Sequence, residues 1–168
     1  VAVHEVLEEV AQVARDTSPR KIAIETRFTD DLWPVLADST QLHQLFLNLC
    51  VNACDAMPGG GRLTLAAENV VLGAAEAQPE PNPEAQRGPH VRIDVCDTGA
   101  GIPAEIAEHI FEPFFTTKQV GRGTGLGLST AQAIVRSHGG SIAVASTTAG
   151  TRFSVHLPAL APASQLGG

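Results

Sequence analysis

The sequence predicts an α+β fold, a two-layer sandwich in which a mixed, mostly antiparallel sheet packs on helices. Five segments read as strands, and three long ones, 3–15, 40–57 and 124–137, have helical periodicity. Strands in the second half are joined by turns with helices between, a pattern that does not fit a doubly wound parallel sheet. At 168 residues the chain is one domain, long enough for a sizeable core.

The elements follow in order. VHEVLEEVAQVAR at 3–15 repeats its apolar positions at helical spacing, and KIAIETRFT at 21–29 alternates as a strand does. Asp38, with Thr40 close behind, is placed to N-cap the helix over 40–57, and PGGG at 58–61 ends it. RLTLAAENVV at 62–71 and HVRIDVC at 90–96 are strands, separated by a Pro- and Ala-rich surface loop. Pro103 suits the first turn of a short helix over 103–110, and residues 111–124, without a clean period and with glycines close by, are expected to form a mobile cover. A helix over 124–137 stops at His138-Gly139-Gly140, and SIAVAST and TRFSVHL close the fold as an antiparallel pair. The domain is expected to span 1–157, with 158–168 as a tail or linker.

Composition narrows the function. Hydrophobic residues make up 43% and charged residues 17%, ordinary for a globular domain, and no apolar run approaches the roughly 20 residues that span a bilayer. Nothing reads as a signal peptide. A net charge of −7 with no basic block argues against nucleic-acid binding as the main task, so any phosphate must be held locally. Cys50 and Cys54 lie four apart on a helix, too far for a disulfide, and lack the partners of a zinc site; all three cysteines read as small core hydrophobes.

Chemistry concentrates in three places. In QLFLNLCVNACDAM, Gln44, Asn48, Asn52 and Asp55 fall within an arc of about 80°, while apolar residues cover most of the remaining surface. Such a helix is expected to be buried, and its amides then need partners: a magnesium ion carrying a polyphosphate, or backbone groups of the core. Asp97 ends a strand before a Gly-rich turn, where a carboxylate either accepts from an exocyclic amine, selecting adenine, or forms an Asx turn. Gly99 and Gly101 let backbone approach a flat ligand. Third, GRGTGLGLS at 121–129 runs straight into a helix and offers N–H groups and partial positive charge to phosphate. It is neither a Walker loop nor a dinucleotide fingerprint, and no HRD or DFG tripeptide appears.

NLCVNACDAM, DTGAGIP, FEPFFTTK and GRGTGLGLS occur in the order of the N, G1, F and G2 boxes of sensor histidine kinases. From about Asp38 to Leu157 the chain resembles the catalytic and ATP-binding domain of a two-component sensor kinase of the nitrogen-regulation-like or hybrid type. That resemblance implies the Bergerat ATP-binding sandwich shared with DNA gyrase and the Hsp90 chaperone. It also implies ATP and Mg2+ as cofactors, with Asn52 holding the metal and Asp97 the adenine amine. Gly99 and Gly101 would lie against the base with Ile102 beside them, and Gly123, Thr124, Gly125, Leu126, Gly127 and Leu128 would shape the lid end around the nucleotide. Lys118 and Arg122 are candidates for cations on the β- and γ-phosphates, or else exposed lid charges. Thr151 resembles the hydroxyl that reaches adenine through water. Phe111, Phe114 and Phe115 would anchor the lid. Asp55 stands where many sensor kinases carry a phosphate-holding Lys, which shifts that task toward Lys118 and Arg122 and predicts strong magnesium dependence.

One turn before Asn52, ATPase relatives place a Glu as general base for water; this chain has Asn48, and an amide cannot take a proton at neutral pH. Hydrolysis should be slow and the γ-phosphate should await a histidine. His4-Glu5 lacks the Pro of the acceptor box, and His43, His90, His109, His138 and His156 read as surface or structural. The resemblance therefore implies a phosphoacceptor on a separate helical dimerisation domain of the same kinase, a response-regulator receiver domain downstream, and a cytoplasmic location with no direct membrane contact by this domain. A gyrase-like ATPase or a non-catalytic nucleotide-binding module are the competing readings.

Overall fold

The computed structural model describes residues 2–17, 22–29, 31–57, 59–72, 88–99, 127–147 and 149–160. Their elements run α1 (Val3–Thr17), β1 (Ile22–Phe28), α2 (Ser39–Asp55), β2 (Gly61–Leu72), β3 (Gly88–Asp97), α3 (Gly127–Ser137), β4 (Ser141–Thr147) and β5 (Gly150–Pro158). The predicted helix over 103–110 and the cover over 111–124 lie outside the described residues.

The strands form one sheet in the order β1-β2-β3-β5-β4. β1 and β2, separated in sequence by α2, pair in parallel, and the other three pairings are antiparallel. This is the mixed, mostly antiparallel sheet that the sequence predicts. Register places Ile24, Leu63, Asp97, Thr151 and Ser146 in one row across all five strands. Because side chains alternate, that row shares a face with Leu65, Ile93, Val95, Phe153 and Val155, all buried. Asp97 and Thr151 are thus the polar end of the core face. The other face carries Arg27, Arg62, Arg92 and Arg152.

Helices cover the core face. α1 buries Val3, Val6, Leu7, Val10, Ala11 and Ala14, the three-four spacing of a helix with one apolar side. α2 touches both α1 and α3 and reaches β3. Its buried residues are Leu42, Leu45, Phe46, Leu49, Cys50, Ala53 and Cys54. Truncating one of these, Leu49→Ala for example, would cost about 2–5 kcal/mol in lost burial and an unfilled cavity. Asp38 caps the helix as expected, accepting from Thr40 N–H at 2.9 Å and Gln41 N–H at 3.3 Å.

One expectation is corrected. α2 is not buried all round: Val51 is 53% exposed, Gln44 is exposed, and Asn48, Asn52 and Asp55 are half-buried. Residues on this side are short or polar because they form the margin of the core, so the stripe is an accessible ledge.

His138 is structural. Its Nδ1–H donates to Ile134 O at 2.8 Å, closing α3, while Nε2 accepts from Asp38 N–H at 3.2 Å. One imidazole therefore ties the end of α3 to the cap of α2. The final strand also continues into the body, with Ala159 N–H donating to Pro89 O at 2.9 Å and Leu160 N–H to Pro34 O at 2.8 Å.

Candidate functional site

Asp97 is 7% exposed at the last position of β3. Its Oδ1 accepts from Gly99 N–H at 2.9 Å and from Thr151 N–H at 3.3 Å. The first contact is an Asx turn, one of the two roles the sequence left open. It does not exclude the other, because among the described residues both bonds land on Oδ1, so that Oδ2 can take a further donor. Burial pushes the carboxyl above its usual range, while the N–H groups of Gly99 and Thr151 pull it back. A partly desolvated acid fixed by backbone is well suited to reading an amine, since it does not reorganise when the amine arrives.

Thr151 is 5% exposed and faces Asp97 in the register of β3 and β5. Its Oγ1 lies 3.1 Å from Ser146 Oγ. Ser146 escapes a sequence reading because nothing local marks it; only the hairpin register of β4 and β5 places it opposite Thr151.

The turn after Asp97 is pressed onto α2. A Cβ at Gly99 would lie 2.4 Å from the carbonyl oxygen of Ala56, the C-cap residue of α2. Glycine is therefore required there by the helix end itself, whatever the turn binds. Thr98 joins the same junction, accepting from Arg62 N–H at 3.0 Å and donating to Met57 Sδ at 3.5 Å. From the other side, a Cβ at Gly150 would lie 2.0 Å from Asp97 O, so the β4–β5 turn also abuts this strand end. The structure thus brings Asp97, Gly99 and Thr151 together and sets them against the end of the helix that carries Asn48, Asn52 and Asp55. Asn48 and Asp55 both have interaction partners.

Gly127 opens α3 and Leu128, half-buried, packs against the core. Gly101, Ile102, Lys118, Arg122, Gly123, Thr124, Gly125 and Leu126 lie outside the described residues. Among the described residues, no group of three or more His, Cys, Asp or Glu side chains is placed to hold a metal ion. The donor set on α2 instead suits a magnesium ion that brings most of its own ligands as phosphate and water. Cys50 and Cys54 are buried, and burial together with the neighbouring Cys54 pushes the Cys50 thiol up to about 12, as expected of core hydrophobes. Cys96, half-buried on the opposite face of β3, departs from that expectation. A groove on the opposite sheet face is separate from this site; among its charges Arg92 lies 3.3 Å from Asp94 and 3.8 Å from Glu68, and Arg27 lies 3.4 Å from Glu25.

Residues 37–161 match the family described as histidine kinase-, DNA gyrase B-, and HSP90-like ATPase. The chain belongs to that family. The sensor kinase CckA of Brucella abortus (strain 2308) is 51% identical over 132 residues, covering 77% of this chain and 14% of that protein. The catalytic domain of histidine kinase ThkA superposes with a TM-score of 0.70 at 29% identity, covering 95% of this chain and 93% of that one. Full-length ShkA in complex with AMPPNP superposes with a TM-score of 0.72 at 26% identity, covering 96% and 31%. The chain spans less than half the length of the curated relatives it matches. It is therefore an ATP-binding domain of the histidine kinase type, with the α+β fold of histidine kinase catalytic domains.

Proposed function

We propose that this histidine-kinase-type domain binds Mg-ATP at the junction of β3, β5 and α2 and supplies the γ-phosphate to a histidine. The acceptor lies on a helical dimerisation domain of the parent protein, and a response-regulator receiver domain takes the phosphate onward. The domain, expected over 1–157, extends through Leu160, because Ala159 and Leu160 bond to Pro89 and Pro34. The tail or linker expected over 158–168 is accordingly read from 161, and the domain acts in the cytoplasm, whether or not its parent is attached to the inner membrane. In this reading Asp97 Oδ2 accepts from the adenine amine, Gly99 and Gly101 with Ile102 flank the base, and Thr151 completes the floor. Asn52 holds the magnesium ion, with Asp55 beside it, and Asn48 keeps the site without a base for water. Lys118 and Arg122, with Gly123–Leu128, attend the phosphates. Magnesium would neutralise phosphate charge as it spreads during transfer.

The observation that carries the reading is Asp97, a nearly buried carboxylate with both backbone donors on one oxygen. The polar ledge of α2 stands beside it through the Gly99–Ala56 contact. Titration with ADP and ATP, with and without magnesium, tests it on wild type, Asp97→Asn and Asn52→Ala. Asp97→Asn should lose affinity with or without metal, and Asn52→Ala should lose chiefly the metal-dependent part. Wild-type binding by both variants removes the site. Labelled ATP with a purified helical dimerisation domain tests transfer; absence of phosphohistidine in the presence of tight ATP binding favours a binding module instead.

A further inference from the structure

The hydroxyl of Thr98 joins three elements at the junction behind the site. It accepts from the backbone N–H of Arg62, at the start of β2, at 3.0 Å. On its other side it lies 3.5 Å from Sδ of Met57, the residue after the C-cap of α2. We infer that Thr98 is a positioning residue that couples the base-reading end of β3 to the metal-holding end of α2. The inference rests on the reading that Asp97 takes the adenine amine and Asn52 the magnesium ion.

Both polarities at this hydroxyl follow from its partners. A backbone N–H can only donate, so Thr98 Oγ1 accepts from Arg62; a thioether has no proton, so the Thr98 proton goes to Met57. Leu63 and Asp97 are the last main-chain pair of β2 and β3, and the hydroxyl serves the Arg62 N–H where β3 turns away. Gly61 makes the room: a Cβ there would lie 2.6 Å from Met57 Sδ and 2.7 Å from Thr98 Oγ1. Met57 is 2% exposed and its N–H donates to Cys54 O at 3.0 Å, so its sulfur belongs to the buried end of the helix.

α2 packs mainly between α1 and α3, and its C-terminal end meets the turn after β3 here. Two neighbouring contacts set the spacing. Gly99 lies against the Ala56 carbonyl and limits how near the turn can come, and Thr98 holds Met57 and limits how far it can recede. Asn52 stands four residues before Ala56, one helical turn or about 6 Å away. A nucleotide with its base on Asp97 and its phosphates on the Asn52 ion spans both ends. The second contact then adds to the first only where their separation matches the ligand. The base half does not need the hydroxyl, because the N–H groups of Gly99 and Thr151 orient Asp97.

The test titrates the 168-residue chain with ADP, with and without magnesium. Thr98 is exposed, so water competes for its hydroxyl and the effect expected is that of one neutral hydrogen bond. Thr98→Val, close to wild type in shape, should bind metal-free ADP as wild type does and lose about 5-fold of the gain that magnesium brings. Thr98→Ser, which keeps the hydroxyl, should restore it. Met57→Leu, of similar volume, should lose part of the same gain, which keeps the test decisive should Thr98→Val not fold. The double variant should lose no more than Thr98→Val alone, since both substitutions act on one bond. Equal weakening with and without magnesium would mean that Thr98 merely supports the turn, and overturns the inference. An unchanged magnesium gain in either single variant, or additive losses in the double variant, overturns it as well. Asn52→Ala separates the two levels. If that variant loses the magnesium gain while Thr98→Val keeps it, the metal reading stands and the Thr98 role falls. If Asn52→Ala keeps the gain, both fall.

Discussion

The backbone N–H of Thr151 donates to Oδ1 of Asp97 across the β3–β5 pair at 3.3 Å. Gly99 donates to the same oxygen from the following turn. The carboxylate is thus oriented by main chain on both sides, and its orientation depends on strand register rather than on a mobile side chain. Any selectivity that Asp97 exerts on a ligand would follow from how β3 ends and where β5 begins.

Asp97→Asn isolates the charge from the geometry. The Asn carbonyl oxygen can still accept from Gly99 and Thr151, while its amide group faces outward where the acid edge stood. The turn should persist, and an incoming amine should meet donors. Loss of a hydrogen bond to a charged group is worth about 1.5–3 kcal/mol, so ADP affinity should fall by about 10- to 100-fold. Calorimetric titration measures it, and circular dichroism checks that the fold is retained. An unchanged dissociation constant would falsify the assignment of Asp97 to the base.

Acid should weaken binding before it weakens the fold. Burial raises the Asp97 pKa in the folded chain above its unfolded value. Its contribution to stability is therefore fully present below the unfolded pKa and is lost as pH rises through the folded one. Nucleotide binding needs the carboxylate and runs the other way, present above the folded pKa and lost as pH falls through it. ADP affinity measured downward from neutral pH should decline beginning above the ordinary carboxylate range. Asp97→Asn without nucleotide should be no less stable than wild type at neutral pH. A flat affinity profile down to the ordinary range would contradict the raised pKa.

The sheet and its helices were legible because alternation and three-four periodicity are strong over α1, β3 and β5. Asp97 was legible as a strand-terminal acid before glycines, and Asp38 as a cap. The burial of α2 was misread: counting apolar residues around the helix gave no sign that Val51 and the amides face outward, since that depends on which neighbours cover it. Gly99 was read for its approach to a ligand, whereas the Ala56 carbonyl is a sufficient reason for the missing side chain. Ser146 and His138 were not legible as tethers, because their partners lie across a hairpin and 100 residues away.

Gly99→Ala should damage the junction on which the site rests. The added methyl would lie 2.4 Å from a backbone oxygen at a helix end, which cannot move as a side-chain tip can. Overpacking of this kind costs about 1–3 kcal/mol, corresponding to a drop in Tm of about 2–12 °C for a domain of this size. Because Asp97 Oδ1 accepts from the same residue, ADP affinity should fall with it. Thermal melts with and without ADP check both; an unchanged Tm would mean that α2 and the turn separate easily.

Thiol chemistry should divide the three cysteines. Cys50 and Cys54 are buried in α2, whereas Cys96 is half-buried on β3. Burial raises the thiol pKa of both Cys50 and Cys96, the first to about 12. A thiol reagent at neutral pH should modify Cys96 slowly and Cys50 and Cys54 only on unfolding. Mass spectrometry of partially modified protein reads the order directly, and early labelling at Cys50 would contradict the packing of α2 against α1 and α3.

Asn48 offers the sharpest separation of kinase from ATPase. It is half-buried on the ledge of α2, one turn before Asn52, and an amide there cannot remove a proton from water. The isolated domain should bind Mg-ATP and release phosphate very slowly. Asn48→Glu introduces a carboxylate at that position without altering the buried side of the helix. Since general-base catalysis contributes about 10²–10⁴-fold, an imperfectly placed glutamate should still raise magnesium-dependent phosphate release by about 10-fold. The affinity for ADP should change far less, because the base contacts proposed above lie on β3 and β5. Rapid turnover by the unmodified chain would reverse the assignment and place this domain with the hydrolytic members of its family.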